Sequence, residues 1–166
     1  MSLDLLEPNG LYVLLFIRND PPKLNDFHWG LYLHSNSDTG GMKYHIRNSG
    51  GGWLPDYAIT GGVLKSFLLV GLFQIARIPA GATNDVDTIF KTYDQQLNQL
   101  PGLTCRTWVF DVLKLLQKHW NGGVLLKCTD IVALEQEIMA WGNSNAFGAS
   151  RNKQPRPVSA SKLCGL

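Results

Sequence analysis

Residues 11–17, LYVLLFI, admit few placements in a folded chain. The run is apolar, aromatic and branched with no polar alternation, so both faces of the strand it forms must be buried. Such a strand belongs in the middle of a sheet. The sequence NDPP at 19–22 ends it, because proline fixes φ and withholds an N–H. The following run, 28–34, alternates instead. Trp29, Leu31 and Leu33 take one face, and His28, Gly30, Tyr32 and His34 take the other. Residues 35–41 are turn chemistry, and 42–48 return as the hairpin partner, with Tyr44 and Ile46 opposite in parity to Lys43, His45 and Arg47.

Further along, Gly50, Gly51 and Gly52 break the chain before Trp53. A glycine run lets backbone approach a ligand closely or simply forms a mobile loop, so Gly51 and Trp53 are candidate substrate-binding positions. Residues 66–78 read as one long strand or two short ones, with Gly71 at a bend. A helix is expected from Asn84 or Asp85 to about Leu100, with Val86, Ile89, Phe90, Tyr93 and Leu97 on one face. Pro101 and Gly102 then precede a second helix. Thr104 is its expected N-cap, and Cys105, Trp108, Val109, Val112, Leu115 and Leu116 form its buried stripe. This helix is expected to end near 120–123. A third runs over about 130–141, with Ile131, Leu134, Ile138 and Trp141 at helical spacing.

From Gly142 the composition shifts to Asn, Ser, Gly, Lys, Arg and Pro, the pattern of an extended tail over 143–166. Strands followed by helices predict one α+β domain over 1–142, an antiparallel β-sheet packed against helices. Tight ordering of the tail would point to a strand-like addition or to a homo-oligomer.

Composition excludes several functions. The formal net charge is +2 and the basic residues are scattered, except for Arg151, Lys153, Arg156 and Lys162 in the tail, which is too little to argue for nucleic acid. The longest apolar run, 67–73, is too short to be a transmembrane segment. Three distant cysteines (105, 128 and 164) form neither a disulfide framework nor a zinc pattern, which suits a reducing, cytoplasmic setting. No cofactor motif and no metal-ligand spacing occurs.

One arrangement carries chemistry. Cys105 would sit in the first turn of a helix, where unpaired amides favour a negatively charged sulfur. A small buried hydrophobe suits that position equally well. A nucleophile needs a base and a group that orients the base. His28, at the start of its strand, is the candidate base. His45 is the candidate orienter, provided the hairpin register puts both histidines on one face. Tyr32, which shares the His28 face, and Trp29, which adjoins it, are further candidate substrate-binding positions.

The strand FHWGLYL at 27–33, the strand KYHI at 43–46 and the helix start TCRTWV at 104–109 together resemble the permuted papain-like thiol enzymes. That superfamily includes lecithin-retinol acyltransferase relatives, NlpC-like proteins and deSUMOylase-like proteins. The helix is also similar to one in a fungal branch, a likeness that implies no activity. The resemblance implies a circularly permuted papain-like core, with Cys105 as nucleophile, His28 as base and His45 as the third polar residue. The implied activity is a cysteine-dependent hydrolase or acyltransferase acting on an amide, isopeptide, thioester or ester of a protein, peptide or acyl substrate. Thr104 departs from the family, which often has asparagine there. The lack of a C-terminal membrane helix weakens a lipid substrate. The alternative is a catalytically inactive interaction module on the same fold, binding a protein or peptide partner through the loop at 50–53 and the basic tail.

Overall fold

The computed structural model describes residues 2–121 and 123–166, with His119 described in its backbone alone. Strands β1 (Gly10–Ile17), β2 (Phe27–Asn36), β3 (Gly40–Asn48), β4 (Trp53–Thr60) and β5 (Leu69–Arg77) come first. Helices α1 (Thr83–Phe90) and α2 (Cys105–Leu116) follow, then a small hairpin of β6 (His119–Trp120) and β7 (Gly123–Val124). Helix α3 (Ile131–Ser150) and strand β8 (Val158–Ala160) complete the chain. The main sheet has the order β4-β3-β2-β1-β5-β8, and only the β5–β8 pairing is parallel. The fold is α+β.

β1 occupies the interior position that its unbroken apolar run demands. Leu11, Val13, Leu15 and Ile17 enter the large core beneath α2 and α3. Tyr12 and Leu14 enter a smaller core on the opposite face, with Leu6, Val63, Leu64 and Leu72. Trp29, Leu31 and Leu33 of β2 share the large core. Phe110 of α2 packs edge-on against Trp29 at 5.3 Å between ring centroids, and Trp108 stacks on Tyr57 at 6.3 Å. Burying each such side chain contributes about 1.5–3 kcal/mol, which fixes α2 to that face.

The structure corrects four expectations. Residues 53–60, which follow the glycine run without an expected element, form β4 and pair with β3 along their whole length. The helix expected to reach Leu100 stops at Phe90, and a 3-10 segment, Asp94–Gln99, follows. Tertiary bonds account for that break: Tyr57 donates its hydroxyl to Asp94, and the Asn98 side chain takes both the N–H and the C=O of Trp53. α2 ends at Leu116 instead of near 120–123, because the returning chain bonds the Leu116 carbonyl through the amides of Leu125 and Leu126. Gly122, part of the expected stop signal, lies outside the described residues.

The fourth correction concerns residues 143–166, expected as an extended tail. Residues 143–150 continue α3, and 158–160 add β8 to β5. Small residues allow this. A Cβ on Gly142 would lie 2.5 Å from Leu15 Cδ1 and 3.2 Å from the Phe27 ring, so the glycine lets α3 pack on β1 without displacing these core side chains. The last segment is anchored by Ser161 and the Lys162 amide, which both donate to Glu137, and by Trp141 Nε1, which donates to Ser159 Oγ at 3.0 Å. Its order is explained within one chain.

Candidate functional site

Strand register brings the two histidines together. Tyr32 lies opposite Lys43, so continuing the pairing puts His45 beside Gly30 on the His28 face. His28 Nε2 and His45 Nδ1 are 2.8 Å apart, with the rings nearly perpendicular at 77°. The β3–β4 register then sets Asp56 opposite His45, with Asp56 Oδ2 at 3.2 Å from His45 Nε2. Arg47 Nε is 3.6 Å from the same oxygen. Asp56 is therefore a third member of the chain of polar groups, one that no sequence motif marks. The signal for it is the glycine turn at 50–52, which returns the chain as a strand and sets Asp56 opposite His45.

Charge in this cluster follows from burial. Desolvation, assisted by the charges of His45, Arg18 and Lys43, pushes the His28 imidazole down to about 4. Burial also lowers His45, against the raising influence of Asp56. At neutral pH both rings are uncharged. The carboxylate of Asp56 favours the His45 tautomer with its proton on Nε2, which leaves Nδ1 as acceptor for His28 Nε2–H. The free lone pair then falls on His28 Nδ1.

Cys105 is elsewhere. The Thr104 side chain accepts from the Thr107 amide and Thr107 Oγ1 accepts from the Thr104 amide, so the helix opens with a capping box as its sequence implies. The sulfur lies within the large core, 7% exposed, and makes no hydrogen bond among the described residues. It borders a cleft of about 200 Å³ with Arg18, Asn25, Asp26, Trp29 and Arg106. His28 faces the opposite side, 5.9 Å from the Phe16 ring, which packs on the smaller core. Cys105 and the two imidazoles thus stand on opposite faces of the sheet.

The remaining candidates divide similarly. Trp29 is buried against Phe110, and Tyr32 is fully buried, its hydroxyl 3.0 Å from His34 Nδ1. Gly51 lies in an open loop with nothing near its Cα substituent position, whereas Trp53 is half-buried and held by Asn98. Among the described residues no group of three His, Cys, Asp or Glu side chains is arranged to hold a metal ion. No described helix is long and apolar enough to cross a membrane. In comparisons with family models, curated proteins and solved structures, nothing matches this chain.

Proposed function

We propose that this chain is a binding module on an α+β scaffold, not a thiol hydrolase or acyltransferase, and that its partner is an acidic protein or peptide surface. The observation that carries the reading is the side of the sheet on which the sulfur lies. Acyl transfer through a thiol requires a base within hydrogen-bond reach of it. The His28–His45 pair faces away from Cys105 across a close-packed sheet, and the sulfur is nearly sealed. In that position Cys105 serves as a small core residue.

The second face of the sheet supports the binding role. Over β1 and β5 it is covered by Leu6, Val63 and Leu64, but over β3 and β4 it carries exposed Arg47, Leu54 and Ala58 beside half-buried Lys43 and His45. Asp56 is engaged by His45 and Arg47. Lys43 forms no ion pair among the described residues and Leu54 supplies an apolar contact, a pairing that suits a carboxylate-bearing partner.

The test is fluorescence anisotropy with a labelled glutamate-rich peptide and a lysine-rich counterpart. The acidic peptide is expected to bind, with affinity falling as salt rises and dropping at least tenfold in Lys43→Glu/Arg47→Glu. Cys105→Ala is expected to bind as the parent does. Equal affinity for both peptides, or an unchanged double variant, overturns the proposal.

A second reading keeps the enzyme, because Cys105 opens a helix and borders a cleft with two arginines. It requires a base other than His28. Native-state alkylation with iodoacetamide separates the readings: a core cysteine labels no faster than Cys128 and Cys164, which are also buried. Selective, rapid labelling of Cys105 would restore the thiol enzyme.

A further inference from the structure

Arg156 is the charged side chain most at odds with its surroundings. It is 2% exposed, yet among the described residues no carboxylate forms an ion pair with it. Nη1 donates to the Lys153 carbonyl at 3.3 Å and Nη2 to Asn152 Oδ1 at 2.7 Å. Nε is buried and donates to nothing among the described residues. Neutral acceptors hold the guanidinium in place but bring no negative charge, and a buried cation without one is costly.

The same side chain borders a cavity of about 200 Å³ between the last turns of α3 and the segment before β8. Ser144, Asn145 and Gly148 line the helix side, and Lys153, whose amide donates to the Gly148 carbonyl at 2.8 Å, borders the cavity beside them. Lys153 is exposed and forms no ion pair among the described residues. The cavity therefore has two cationic side chains, no anionic one, and room for a tetrahedral oxyanion. Ser144 Oγ and Asn145 Nδ2 are already committed to helix carbonyls, so the charge must come from the arginine and the lysine.

We infer that this cavity is a phosphate-binding site, with Arg156 as its buried anchor and Lys153 as its rim, taking inorganic phosphate or the phosphate group of a small monoester. Arginine suits the role because its planar fork offers paired N–H donors to phosphate oxygens, while lysine adds a point charge. A phosphate supplies the counter-charge that the fold leaves out. The site lies on a different part of the fold from the open sheet face and is independent of the proposed partner.

The test is a titration of the whole chain at fixed ionic strength with inorganic phosphate, with a sugar phosphate monoester, and with acetate. Thermal denaturation and the arginine Nε–H region of the nitrogen–proton spectrum are followed together. Phosphate is expected to raise Tm in a saturable way and to shift the Arg156 Nε–H resonance with the amides of Gly148 and Lys153. Lys153→Gln, at an exposed position that leaves the core intact, is expected to weaken the response several-fold. Arg156→Gln is expected to abolish it. Tighter binding of the monoester identifies a phosphorylated metabolite as the ligand; equal or weaker binding identifies the free ion. An absent Tm response, shifts scattered away from this cavity, an equal response to acetate, or an unchanged Lys153→Gln protein overturns the assignment.

Discussion

At the scale of single residues, the two histidines show how burial converts an ordinary side chain into a pH-dependent element. Folded His28 has its imidazole held at about 4, well under the value of about 6.5 for a free histidine. The unfolded chain binds a proton there before the folded one does, so the neutral ring's contribution is complete above pH 6.5 and is lost as pH falls towards 4. A shift of this size corresponds at most to about 3 kcal/mol, and partial solvent access reduces it to about 1–2 kcal/mol. Denaturant midpoints at pH 7 and pH 4.5 are expected to differ by more in the parent than in His28→Gln. An equal acid sensitivity in the two proteins would show that His28 is not the group responsible. The sequence places His28 and His45 on one face only if the hairpin register pairs odd with even positions, and the Tyr32–Lys43 pairing is such a register. The separation of His28 from Cys105 rests on strand parity. Trp29, Leu31 and Leu33 form the apolar face, a helix with an apolar stripe must cover that face, and His28 therefore points away from the helix.

At the scale of elements, the parts with strong periodicity or clear stop signals were readable, and the parts shaped by tertiary contacts were not. The N-cap of α2 is local chemistry. Thr104 and Thr107 satisfy each other's amides, and Thr104→Ala is expected to lower stability by about 1 kcal/mol without changing the helix boundary. Chemical denaturation measures the loss, and a neutral outcome would mean that the cap adds nothing beyond packing. β4 was hidden because none of its residues is fully buried and a proline lies within it, so no strongly apolar face marks it as a strand. The second half of α3 was hidden for a different reason. Its buried positions are Gly142, Ala146 and Ala149, residues too small to register as an apolar stripe. Their size is their function, since α3 lies close over β1. Gly142→Leu is expected to cost about 1–3 kcal/mol by forcing Leu15 and Phe27 out of place, whereas the exposed Ser144→Leu should be nearly silent. Comparable losses in both variants would mean that the helix, not its fit to the sheet, is what the glycine protects.

At the scale of the whole molecule, the sheet has two ends, and each is closed by a different device. At the β4 end, the Asn98 side chain bonds both backbone groups of Trp53 on the outer side. Pro55 has the same parity as Trp53, so the N–H it lacks is one that would have faced outward. At the other end, β8 pairs with Leu72, Phe73 and Gln74 of β5. That pairing is held from above by Trp141 and Glu137 of α3, so the C-terminal segment, the sheet edge and the longest helix stabilise one another. Gly71 is the point of closest contact: a Cβ there would meet the Pro157 carbonyl at 2.3 Å and the Trp141 ring at 3.1 Å. Removing residues 158–166 would strip the outer edge of β5 and leave Trp141 Nε1 without its acceptor. The shortened chain is expected to melt at lower temperature, to show red-shifted tryptophan emission, and to associate through the opened edge in light scattering. If its mass by light scattering matches that of the full chain while its Tm falls, β8 contributes stability alone. If Tm is also unchanged, the sheet is complete without β8, and the edge that matters for association is the one that Pro55 and Asn98 already protect.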